Sequence, residues 1–70
     1  MYDFYVYQIE IEGQVDEKSF NTTSPLQMSV IQVDEDSTIF TVHTDQSGLI
    51  GLMRHLHGRG FVFLSLRRER

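Results

Sequence analysis

The run YDFYVYQIEIEG, residues 2–13, alternates with a period of two. Tyr5, Tyr7, Ile9 and Ile11 share one side, while Phe4 and Val6 open the other before Gln8, Glu10 and Glu12 take it over. This predicts a first strand, ended by Gly13. The run LQMSVIQV, residues 26–33, predicts a second strand with Met28 and Val30 on one face and Ile31 and Val33 on the other. After the polar turn Asp34–Ser37 comes TIFTVH, a β-branched third strand that completes a hairpin with the second. FVFLSL, residues 61–66, predicts the last strand, with Val62, Leu64 and Leu66 opposite Phe61, Phe63 and Ser65, and RRER reads as a frayed tail.

One stretch changes period. Leu49, Leu52, Met53 and Leu56 fall at i, i+3, i+4 and i+7, the apolar stripe of a helix over about residues 45–57. Thr44 or Asp45 is placed to cap it by accepting from a backbone N–H of its first turn. Arg54, His55, His57 and Arg59 gather at its end, where positive charge suits the helix dipole, and Gly58 or Gly60 supplies the left-handed stop. Between the first two strands, Asp16 and Glu17 start either a short helix anchored by Phe20 or a plain loop, stopped by the turn residues Asn21–Pro25. The order is strand, short or degenerate helix, strand, strand, helix, strand. The expectation is a single α+β domain spanning residues 1–70, with a ferredoxin-like split β-α-β arrangement and a four-stranded antiparallel sheet covered on one side.

Composition narrows the function classes. A chain of 70 residues buries only about 60% of the surface its unfolded form exposes, so a partner is a natural source of extra stability. There are no cysteines, which excludes disulfides and thiolate metal sites and suits a reducing, cytoplasmic setting. The N-terminal run lacks a basic region and is broken by charge, so it reads as neither a signal peptide nor a membrane span. The net charge of −4 opposes generic nucleic-acid binding. It is also segregated: residues 1–45 hold nine acidic side chains and one Lys (1 − 9 = −8), whereas residues 46–70 hold five Arg and one Glu (5 − 1 = +4). Such segregation either supports self-association or is neutralised within the fold.

The segment TDQSGLIGLMRHLHGRGFVFLSLRRE resembles a family of short uncharacterised bacterial proteins, through Asp45, Gln46, Leu49, Gly51, Leu52, Leu56, Gly60, Leu64 and Ser65. YQIEIEGQVDE, residues 7–17, is similar to that family's first strand. The resemblance implies a ferredoxin-like or ACT-like single domain and carries no established activity. Ile50 departs from the family pattern, which often has His there, and residues 18–37 match least.

The chemistry-bearing residues read weakly as sites. His55 and His57 are two apart, so on a helix they point about 200° away from each other, unlike the i, i+4 pair of a zinc helix. Ser47 is an ordinary helix-start residue with no nucleophile elbow around it, and Asp34, Glu35 and Asp36 form no complete calcium loop. Gly48 and Gly51 lie inside the helix, where each costs about 1 kcal/mol against Ala; close packing of the helix back explains them better than a phosphate cradle. The arginines 67, 68 and 70 with Tyr2, Tyr5 and Tyr7 suggest base stacking, but STIFTVHT lacks the basic residues of an RNA-binding strand.

What remains is apolar surface. With one main helix covering one sheet face, the other is expected to carry some of Phe4, Val6, Phe40, Val42, Phe61 and Phe63, according to register. The expected function is a non-catalytic assembly module, forming a homodimer or docking on a partner protein through that open face, with no cofactor and no metal. Asp45, Gly48, Gly51 and Gly60 are expected to be structural. An ACT-like small-molecule sensor, with its ligand near His43–Gly48, is the alternative.

Overall fold

The computed structural model describes residues 4–23 and 26–69. Their order is β1 (Tyr5–Glu12), α1 (Glu17–Thr23), β2 (Ser29–Val33), β3 (Ser37–Thr44), α2 (Gln46–Gly58) and β4 (Phe63–Arg68). The strands form one antiparallel sheet in the order β2-β3-β1-β4. This is the α+β split β-α-β arrangement: each helix connects two parallel strands by crossing over the strand between them.

The alternation of β1 sets the core. Tyr7, Ile9 and Ile11 are buried, and their partners Val42, Phe40 and Thr38 on β3 share that face. Leu49, Leu52 and Leu56 of α2 close over it, with Met53 half-buried beside them. The ambiguous segment is a helix of two turns. Phe20 inserts as its anchor, edge-on to Phe40 at 5.1 Å and to Phe61 at 5.5 Å. So short a helix is not stable by propensity, and its side chains fasten it. Asn21 Nδ2 donates to the Met28 carbonyl (2.9 Å) while its Oδ1 accepts from the Met28 N–H (2.7 Å), and Glu17 Oε2 accepts from the Val30 N–H (2.7 Å).

Asp45 is the N-cap of α2; its Oδ1 accepts from the Gly48 N–H at 2.7 Å. At the other end the Gly60 N–H donates to His57 O (3.0 Å) and the Phe61 N–H to Leu56 O (3.1 Å), with Gly60 at φ +92°. That pair of bonds is a Schellman stop with Gly60 as the left-handed residue. The two interior glycines separate. A methyl on Gly48 would strike the Thr44 hydroxyl, whereas Gly51 is exposed with no atom near. Close approach therefore accounts for Gly48 alone, and its close neighbours are Thr44 at the end of β3 and the Asp45 cap; nothing in the structure explains Gly51.

Two bulges correct the expected faces. In β2 the register shifts between Val30 and Gln32, so Val30 pairs with Phe40 and Val33 with Thr38, and both fall on the helix-covered side. In β4 the shift leaves Leu64 as the extra residue: Ile11 pairs with Phe63, Glu10 with Ser65 and Ile9 with Leu66. Phe63 and Leu66 thus share the covered side instead of opposing each other. The last strand also begins two residues later than expected, because the helix stop consumes Gly60 and Phe61. It runs on through the supposed tail: Arg67 and Arg68 pair with Gln8 and Tyr7, and the Glu69 N–H donates to Val6 O at 2.7 Å.

Candidate functional site

The open face of the sheet is not the apolar platform expected. Phe40 and Val42 are 0% and 3% exposed and lie in the core. Phe61 and Phe63 pack against that core. The physical reason is the β1 register, which places residues opposite Tyr7, Ile9 and Ile11 under the helices. Only Phe4 and Val6 of the six candidates take the open side. Phe4 is 59% exposed and sits edge-on to His43 at 5.5 Å. The remainder of that face is mixed: Gln8 lies opposite Thr41, Glu10 lies between Ile39 and Ser65, and Ser37 Oγ donates to Glu10 Oε2 at 2.7 Å.

Apart from Ile50 on α2, the large exposed aliphatic side chains among the described residues lie at the sheet edges, and the two edges are built differently. The β2 edge is five residues long, bulged at its centre, and followed by Asp34, Glu35 and Asp36. Its Val30 N–H is taken by the Glu17 carboxylate. A bulge, a side-chain cap and charge are the devices by which proteins blunt an edge. The β4 edge has β1 on one side and, among the described residues, no strand on the other. Val62, Leu64 and Leu66 are 50%, 49% and 43% exposed along it. The Glu69 N–H turns inward to Val6, so by alternation the Leu66 and Arg68 N–H groups turn outward. Sequence reasoning missed this edge because it treated Arg67–Arg70 as a tail. The signal was in the element order itself, which puts β4 outermost in a split β-α-β sheet.

No family model, curated protein or solved structure matches the chain.

The other chemistry-bearing residues are dispersed. His43 is on the open face, and His55 and His57 are at the end of α2, half-buried and exposed respectively. Among the described residues no three His, Cys, Asp or Glu side chains form a group able to hold a metal. Ser47 is exposed in the first turn of α2. Arg68 lies over the Tyr5 ring at 4.5 Å, so the arginine–tyrosine pairing suggested for base stacking is an internal cation–π contact. Tyr2 and Arg70 fall outside the described residues. No described helix is long and apolar enough to cross a membrane. Two clefts remain. One of about 360 Å³ is lined by Val6, Leu26, Gln27, Ser29, Thr41 and His43. Another of about 400 Å³ lies between His57, Gly60 and Phe61–Phe63.

Proposed function

We propose that this chain is a non-catalytic assembly module of the cytoplasm, whose contact surface is the outer edge of β4 rather than the open sheet face. The observation that carries the reading is the asymmetry of the two edges. Both edge strands carry a bulge, but the β2 edge has its Val30 N–H capped by the Glu17 carboxylate, while the β4 edge presents the outward N–H groups of Leu66 and Arg68 flanked by Val62, Leu64 and Leu66. An unprotected edge recruits a further strand through main-chain hydrogen bonds, with specificity from alternate side chains. The partner is a strand of protein, from a second copy or another chain; nucleic acid, lipid and cofactor have no part in the reading. The test is amide exchange of Leu66 and Arg68 at rising chain concentration and with an added peptide of sequence FLSLRR. Slowed exchange in either series supports the reading. Free exchange of both amides throughout sinks it.

The second reading, an ACT-like small-molecule sensor, is favoured by the cleft at His43. Ser29, Thr41, Gln27 and His43 bring polar groups together with Val6, Leu26 and Val42 in one depression towards the strand end that leads into α2. A thermal-shift screen with amino acids and nucleotides tests it, since a specific ligand raises the melting temperature by mass action. A flat response across the set discards it.

A further inference from the structure

Resting on the assembly reading, we infer that the occupant of the β4 edge is β4 of a second copy, antiparallel and related by a two-fold axis through Leu66. Four observations converge on that register. First, the outward N–H groups belong to Leu66 and Arg68, so a Leu66–Leu66 pair at the axis is a fully hydrogen-bonded one. Second, it opposes residues of the same face. Arg67 of one copy meets Ser65 of the other, both on the open side, while Leu66 meets Leu66 on the covered side, where each is 43% exposed. Shifting the axis to Ser65 would instead set Arg67 opposite Phe63, which the bulge has turned to the covered side.

Third, the charges complement. Ser65 pairs with Glu10 on β1, so each half of the dimer holds a row Glu10–Ser65–Arg67 that runs across the boundary. Glu10 and the second copy's Arg67 then stand two strand spacings apart, about 10 Å between backbones, with only the small Ser65 between them. A long guanidinium and a carboxylate leaning over a serine close that gap. Arg67 exchanges for this its exposed contact with Glu69 at 3.2 Å, a pair worth little by itself. An axis through Arg67 is excluded by like charge, since it would oppose the two guanidinium groups directly. Fourth, the segregation of charge along the chain is placed to work between copies. The arginines of β4 lie at one end of the strand and the acidic Glu10, Glu12 and Asp34–Asp36 towards the other, and antiparallel pairing brings opposite ends together.

The experiment is light scattering behind a sizing column across a range of chain concentrations, at low and high salt, on four proteins. These are the wild type, Leu66→Pro, Arg67→Glu and the charge swap Glu10→Arg/Arg67→Glu. Leu66→Pro removes an outward N–H and no ladder bond of the monomer. Circular dichroism checks that each variant is folded. The inference expects a wild-type dimer, a monomer for Leu66→Pro, and a dissociation constant raised about tenfold or more for Arg67→Glu. It also expects recovery in the charge swap and weakening of the wild-type dimer by salt. A wild-type monomer overturns the inference while leaving the assembly reading to the peptide arm of its own test. A dimer broken by Leu66→Pro but indifferent to Arg67→Glu and its swap overturns the register and keeps the edge. A dimer that survives folded Leu66→Pro overturns both.

Discussion

The hydroxyl of Thr44 occupies the space that a side chain on Gly48 would need. Thr44 is the last residue of β3 and is buried, and the Gly48 amide is held by the Asp45 carboxylate, so strand end, cap and first turn are one packed unit. Gly48→Ala gains helix propensity of about 1 kcal/mol, but must displace a β-branched side chain with little rotamer freedom. The expected net outcome is destabilisation of about 1–2 kcal/mol, as for other overpacked sites. Gly51 has exposed, open surroundings on the same helix. Gly51→Ala is therefore expected to stabilise by about 1 kcal/mol, raising the melting temperature by about 4–8 °C in a domain of this size. Calorimetry of the two single variants checks both signs. Stabilisation by both would mean that the cap relaxes freely.

Thr38 fastens the loop after β1. Its buried hydroxyl donates to the Gly13 carbonyl (2.8 Å) and accepts from the Val15 N–H (3.1 Å). Thr38→Val preserves shape and leaves two backbone groups without their partner. The expected loss is about 1–3 kcal/mol, since an unsatisfied group forfeits its hydration without compensation. Urea unfolding with an unchanged slope, together with faster exchange of the Val15 amide, is the expected pattern. A Thr38→Val variant as stable as the parent would show that water replaces the hydroxyl.

The fold was legible wherever one face is buried and the alternation is strict. Tyr7, Ile9 and Ile11 announce β1, and Leu49, Leu52 and Leu56 announce α2, because burial leaves those positions no alternative. The faces of β2 and β4 were not legible. Each carries a bulge, at Ile31 and Leu64, and one unpaired residue reverses every face assignment beyond it. This is why Phe63, one of the candidates for the open side, lies against the core. The face of Phe40 and Val42 was left to register for a different reason: the alternation of β3 fits either phase, and only its pairing with β1 decides. The length of α1 was ambiguous because its fastening, Asn21 to Met28 and Glu17 to Val30, is tertiary and leaves no local periodic signal.

Gly60 tests the stop of α2. Its φ of +92° is a conformation that L side chains rarely adopt, yet the space around it is open. Any penalty at this position is thus conformational rather than steric against neighbours. Gly60→Ala is expected to cost about 1–2 kcal/mol. Gly60→Asn is expected to cost less, because Asn tolerates left-handed backbone at helix ends. Equal losses for the two variants, measured by thermal unfolding, would place the cause in the turn's exposure and not in its φ.

Phe20 carries the largest single expectation. It is the anchor of a helix of two turns and touches the rings of Phe40 and Phe61 edge-on, linking α1 to the centre of β3 and to the residue that follows the α2 stop. Phe→Ala at a buried site costs about 3–5 kcal/mol. A domain of 70 residues has about 3.5–10 kcal/mol in total at typical stability per residue. Phe20→Ala is therefore expected to be marginally folded or unfolded at 25 °C. Phe20→Leu keeps most of the volume and loses the ring contacts, each worth about 0.5–1.5 kcal/mol, so it should fold with reduced stability. In Phe20→Leu the loss should concentrate on α1: the Met28 and Val30 amides, held by Asn21 and Glu17, are expected to exchange faster while the β1–β3 amides keep most of their protection. Uniform loss across the sheet would instead show that α1 unfolds only with the whole domain, and that the two-turn helix is an integral part of the core.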